Sequence, residues 1–177
     1  MAGATYNTLR TTMIWLGRLI SQWLPFTPGG NTLEGIYNYV PITERMKTSG
    51  QPTEHELELI ARAGYRTVIN LAPASKIENS VFNEAEVLAR EGANYIHIPV
   101  RFDAPAEKHF QRFVEAMEQT GDDKVWVHCA ANMRVSAFVY RYRCDVLKED
   151  PDTAREDLDR VWNPPAVWKK FIAGKGS

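Results

Sequence analysis

The residues best equipped for chemistry stand in one stretch, Val125-Trp126-Val127-His128-Cys129-Ala130-Ala131-Asn132-Met133-Arg134-Val135-Ser136. A short apolar run ends in His128-Cys129, and Arg134 follows after four intervening residues. From there Val135, Phe138, Val139, Tyr142 and Val146 recur at the spacing of a helix's apolar stripe. The stretch therefore reads as strand, tight loop and helix, with a Cys at the strand's end. The backbone N–H groups of such a loop and the free N–H groups of the helix's first turn converge on one spot that favours an anion. The same spot favours a thiolate over a thiol, so the Cys129 pKa is expected below its free value of about 8.5. A thiolate beside an anion cradle (130–135) and an Arg can attack a phosphoryl group.

The elements that must position this loop follow from patterning. Positions 33–40 have a strand's composition, and 46–51 read as a short strand leading into a turn. Thr53 caps a helix and Glu56 closes its capping box; Leu57, Ile60 and Ala61 form the inner face, and Gly64 ends it. Positions 65–71 read as a buried strand and 72–81 as a polar loop. Asn83 then caps a helix that Gly92 ends. Positions 94–100 form the next strand, 101–105 a loop, and Phe110, Phe113, Val114 and Met117 mark the helix that ends at Gly121. Positions 124–128 lead into Cys129. Strands alternating with helices imply an α/β fold with a mainly parallel central sheet flanked by helices. Ligands of such sheets bind beyond the carboxyl ends of strands, where Cys129 falls. A helix over 152–162, the Asn163-Pro164-Pro165 break and the aromatics Trp168 and Phe171 form a tail expected to fold back on the core.

At these residues the chain resembles the cysteine-based protein tyrosine and dual-specificity phosphatases, whose motif is His-Cys, five variable residues, Arg, then Ser or Thr. Two alignments are open. Without a gap, Asn132 falls on the loop's usual Gly, Ser136 on the Ser/Thr that helps the thiolate leave, and Val135 on the Arg position. With a one-residue gap, Arg134 is the motif Arg in a shortened loop and Ser136 is displaced by one. A loop with four residues between Cys and Arg also resembles some rhodanese-type sulfurtransferases. It resembles, too, a bacterial phosphatase-like domain found fused to β-lactamase-type hydrolases. The combination Ser-Gly-Gln-Pro-Thr-Glu and Ala-Gly-Tyr-Arg-Thr-Val-Ile-Asn-Leu is similar to the opening of that domain, so the likeness spans about 35–147. The resemblance implies a catalytic set of Cys129, Arg134, Asp103, Ser136 and His128. Cys129 is the nucleophile, and Asp103, on a loop upstream, protonates the leaving oxygen. His128 holds the loop, and Ser136 assists release. The anion would lie on Ala130, Ala131, Asn132, Met133, Arg134 and Val135. The expected function is hydrolysis of phosphate monoesters through a phosphocysteine. A binding module without turnover and a sulfur transferase are the alternatives.

The rest of the chain narrows the partners. A net charge of −1 gives no footprint for nucleic acid, so the expected partner is a phosphorylated protein or small molecule. His55, His97, His109 and His128 fall on separate elements without zinc spacing, and no glycine-rich nucleotide fingerprint occurs; neither metal nor cofactor is expected. Two cysteines, Cys129 and Cys144, make no disulfide framework and fit a cytoplasmic thiol chemistry, with Cys144 a packed thiol. Residues 1–30 read as an apolar helix and linker, and 31–177 as the phosphatase-like domain with its helical tail. The run 13–24 is too short to span a bilayer and lacks a signal-peptide cleavage pattern. Its stripe of Leu16, Leu19, Ile20, Trp23 and Leu24 either packs on the domain or makes peripheral contact with a membrane, with Arg18 on the wet side. Pro25 and Pro28-Gly29-Gly30 end it.

Overall fold

A computed structural model describes residues 2–21, 32–74 and 83–174, with the side chains of the first segment described over 5–17. The linker at Pro28-Gly29-Gly30, the end of the 13–24 run and most of the 72–81 loop lie outside the described residues. The order is α1 (Ala2–Ser21), a 3-10 turn (Leu33–Gly35), β1 (Val40–Pro41), β2 (Met46–Ser49), α2 (Glu54–Arg62), β3 (Tyr65–Asn70), α3 (Glu84–Arg90), β4 (Asn94–His97), α4 (Glu107–Gln119), β5 (Lys124–His128), α5 (Met133–Asp145), α6 (Pro151–Val161) and α7 (Ala166–Ile172). The sheet runs β1-β2-β5-β3-β4 and is parallel except for the edge pair β1–β2. β5, the strand that ends at His128, is central, with β2 on one side and β3 on the other.

Side chains alternate across a strand, and on β5 this decides where the chemistry lies. Val125 and Val127 face a core built with Phe110, Phe113, Val135 and Phe138 of α4 and α5; Cys129 joins that core. Trp126 faces the other layer, against Leu57, Ile60, Val87 and Leu88 of α2 and α3. Tyr65 meets the Trp126 ring edge-on at 5.1 Å. α5 is the central helix of its layer, with even Arg141 and Arg143 buried on it. Arg143 is accommodated by Glu149 and Asp157, each 2.6 Å away, and Arg141 by Glu107 at 2.8 Å and Asp145 at 2.9 Å. Both therefore enter the layer as paired charges, as burial requires.

The capping box forms as its residues dictate. Thr53 Oγ1 accepts from Glu56 N–H at 3.2 Å, and Glu56 Oε2 accepts from Thr53 N–H at 2.7 Å. Asn83 stands at the N-cap of α3 without a side-chain cap bond. The first strand is shorter than its composition suggests. Positions 33–35 make a 3-10 turn, Asn38 takes φ 53°, and only Val40–Pro41 pair with β2. The apolar residues there pack as a turn instead: Ile36 joins the α2/α3 layer and Tyr37 closes on Gly50. The tail folds back, burying Trp162, Trp168 and Phe171 against α5. Among the described residues, no helix is long and apolar enough to cross a membrane.

Candidate active site

The loop after β5 is seated on the segment that follows β2. Cys129 N–H donates to Ser49 O at 3.4 Å, Gln51 N–H donates to Ala130 O at 3.2 Å, and Gly50 pairs with Ala131. Gly50 lies so close that a Cβ there would come within 2.4 Å of the Tyr37 ring and 3.1 Å of Ala130 O. The Asn38 side chain donates to Ala131 O at 2.9 Å, while Asn132 Nδ2 donates to Asn38 O at 2.8 Å and to Thr48 Oγ1 at 3.0 Å. Two carbonyls of the loop are thus bonded outward to the body of the protein. Asn132 takes φ 62°, the left-handed conformation that its alignment with a Gly implies. α5 starts at the next residue.

Cys129, Ala130, Ala131, Met133 and Arg134 line one cavity of about 280 Å3. Its other walls are Phe102, from the loop after β4, and Thr12 and Trp15 of α1. Arg134 is the one charged residue among these, and its guanidinium carbon stands 5.3 Å from the centre of the Phe102 ring. Phe102 is in turn held by the tail: it lies 5.4 Å from the Trp162 ring and 5.6 Å from that of Trp168, whose Nε1 donates to Phe102 O at 2.8 Å. Val135 does not reach the cavity; its side chain is fully buried in the α4/α5 core. Of the two residues, Arg134 shares the cavity with Cys129 and Val135 does not.

The remaining predicted residues are placed elsewhere. Ser136 Oγ donates to Met133 O at 3.0 Å and accepts from Trp162 Nε1 at 3.1 Å, and the side chain lines a separate small cavity with Val40 and Leu158. Trp162 needs a partner for its buried N–H, and Ser136 supplies it. Asp103 is exposed and forked by Arg101 at 3.0 and 2.7 Å. The hydrogen bond from Arg101 holds its carboxyl below the usual range. The wall of the cavity is formed instead by its neighbour Phe102. His128 is fully buried on the opposite face of the sheet from Cys129, as the pleat requires, with Nε2 3.5 Å from Glu84 Oε2.

Glu84 carries no sequence signal beyond a favourable acid in a helix's first turn, yet it centres a buried polar cluster. Gln51 Nε2 donates to it at 2.6 Å and Asn70 Nδ2 at 2.9 Å; Asn70 also reaches Tyr95 Oη at 3.1 Å. Burial raises the Glu84 pKa, but the electrostatic interaction with His128 and hydrogen bonds with His128, Gln51 and Tyr95 outweigh it and bring it down to about 2. Burial beside this carboxylate pushes the Tyr95 phenol up. Asn38, Gly50 and the α1 wall also escaped the sequence reading, because their roles depend on contacts between segments far apart in the chain.

The fold agrees with that of known proteins. A 97-residue stretch is 39% identical to a protein called "Beta-lactamase hydrolase-like protein" from Xylella fastidiosa, covering 54% of this chain and 22% of that one. The chain thus spans about a fifth of the curated relatives it matches. The crystal structure of a phosphatase candidate from Shewanella putrefaciens CN-32 superposes with a TM-score of 0.70 at 28% identity, over 82% of this chain and 97% of that one. The core catalytic domain of the PP-IP phosphatase SIW14 from S. cerevisiae superposes with a TM-score of 0.65, over 78% and 85%; at 13% identity it shares the fold. Residues 38–163 match the model of the family described as "DSP-PTPase phosphatase fused to NAD+ Kinase", and the chain belongs to that family of tyrosine and dual-specificity phosphatase-like proteins.

Proposed function

We propose that the protein is a cysteine-dependent hydrolase of phosphate monoesters. The observation that carries this is the shared cavity: Cys129 directly follows the central strand, and Arg134, from the first turn of α5, lines the same space. In the first step the Cys129 thiolate attacks phosphorus, an S–P bond forms, and the P–O ester bond breaks. The leaving oxygen takes a proton from Asp103. In the second step water attacks phosphorus, its proton returns to the Asp103 carboxylate, the S–P bond breaks, and phosphate leaves with the thiolate restored. Arg134 and the N–H groups of residues 130–135 hold the equatorial oxygens. Ser136 takes no part in this scheme, since its hydroxyl is occupied by Trp162 and Met133.

One observation favours the second reading, an anion-binding module without turnover. Asp103 is paired with Arg101, which stabilises the anion rather than the protonated acid that the first step needs. The test is turnover of an aryl phosphate without added metal, wild type beside Cys129→Ser. The hydrolase reading expects activity in the first and none in the second. Vanadate binding by a wild type that shows no turnover would establish the module instead.

A further inference from the structure

α1 is amphipathic the wrong way round for a helix that packs on its own domain. Three of its polar residues face inward: Asn7 Nδ2 donates to Asp159 O at 2.9 Å, Thr11 Oγ1 donates to Val161 O at 2.9 Å, and Thr8 Oγ1 accepts from Asn163 N–H at 2.6 Å. Apart from Trp15, its large apolar residues with described side chains face outward. Tyr6, Leu9, Met13 and Leu16, spaced three, four and three apart, are 67, 61, 71 and 48% exposed. In water a helix buries such a stripe. A run of this length and exposure marks a surface that is covered by something else.

The charge pattern says what covers it. All 22 acidic residues of the chain lie beyond position 33, while Arg10 and Arg18 lie within α1. An apolar stripe on a basic, acid-free helix complements an anionic bilayer surface. A second copy would present the same basic helix, so two-fold pairing along the stripe would bring like charges together.

The helix is also a wall of the Cys129 cavity. Thr12 and Trp15 line that cavity, and Met13 and Leu16, next to them in sequence, belong to the exposed stripe. Asn38 fixes the arrangement, since its Nδ2 donates to Thr11 Oγ1 at 3.3 Å and to Ala131 O in the Cys loop at 2.9 Å. Beyond Cys129 and Arg134 the walls are Thr12, Trp15, Phe102, Ala130, Ala131 and Met133, suited to an apolar body behind a phosphate. We propose that the stripe of Tyr6, Leu9, Met13 and Leu16 docks on an anionic membrane and brings the Cys129 cavity to its surface. The substrate class, which rests on the hydrolase reading above, is then a lipid phosphate monoester.

The test uses the full chain and its Leu9→Glu/Met13→Glu double variant, both sites being exposed and outside the cavity. Vesicles of phosphatidylcholine, with and without phosphatidylglycerol, report docking by flotation. The wild type is expected to float with the phosphatidylglycerol vesicles, and the variant to bind them at least about tenfold more weakly. Turnover of a soluble aryl phosphate should be unchanged in the variant, which also shows that it folds. Turnover of phosphatidic acid in the same vesicles should fall by about the same factor as binding. No flotation of the wild type, or equal flotation of the two proteins, overturns the proposal. So does a dimer that the double variant dissociates while neither protein floats, since the stripe would then join two copies. If neither protein turns over aryl phosphate while the flotation difference stands, the hydrolase reading has failed and the docking surface has not.

Discussion

Arg134 is the residue on which the two readings of the loop diverge. Its side chain stands over Phe102 at the cavity that Cys129 lines, a position in which a planar, forked donor matches two phosphate oxygens. Arg134→Lys keeps the charge and removes the fork, so kcat/KM on aryl phosphate is expected to fall by about 10²-fold. Asp103 makes a prediction with a definite sign. Arg101 depresses its pKa, and a general acid works only while protonated, so activity is lost as pH rises through that pKa. Arg101→Ala should move the alkaline limb of the kcat/KM profile to higher pH. An unmoved limb would show that Asp103 is not the acid. Glu84 acts on stability. Its pKa is depressed from 4.5 to about 2, so the carboxylate stabilises the fold above its unfolded value. That stabilisation is lost as pH falls through the range between the two. Thermal melts should show the wild type losing stability from about pH 5 to pH 2 and Glu84→Gln changing less over the same interval.

At the scale of elements, the Cys loop owes its shape to its seat. The 49–51 segment approaches so closely that only a hydrogen fits at Gly50 between the Tyr37 ring and Ala130 O. Gly50→Ala must displace one of the two, at a cost of about 1–3 kcal/mol, and should lower both the melting temperature and kcat. The strand–loop–helix around Cys129 was legible in the sequence because it rests on local signals, an apolar run and then a helical stripe, as was α2 from its Thr53–Glu56 capping box. The left-handed Asn132 was legible through the ungapped alignment, which sets it on the loop's usual Gly. The 33–40 segment was not. Its aromatic and aliphatic residues satisfy a strand's composition equally well when they pack as a turn, and the choice is made by distant partners, Gly50 and the α2/α3 layer. The surroundings of Ser136 were hidden on similar grounds, since the hydrogen bond to its hydroxyl comes from Trp162, 26 residues away.

For the whole molecule, the two ends of the chain meet over the site. The tail fixes Phe102 through Trp168, and α1 supplies Thr12 and Trp15. Neither contribution could be read from the sequence, where both segments were assigned to packing or to a membrane. Trp15→Ala should enlarge the cavity and leave the Cys loop in place. KM for bulky aryl phosphates is then expected to rise several-fold with kcat nearly constant, the signature of lost ground-state and transition-state binding in equal measure. The length of α5 has a consequence for oxidative damage. Cys144 lies eleven residues along α5 from its first residue, Met133, about 16 Å up the axis, while Cys129 sits in the loop that precedes the helix. A disulfide tolerates Cα separations only up to about 7 Å. A Cys129 sulfenic acid formed by peroxide therefore has no second thiol of its own chain within reach and proceeds to the sulfinic acid unless an external thiol intercepts it. Mass spectrometry after limited peroxide treatment should find stepwise addition of oxygen at Cys129 and no Cys129–Cys144 crosslink, and inactivation that glutathione prevents.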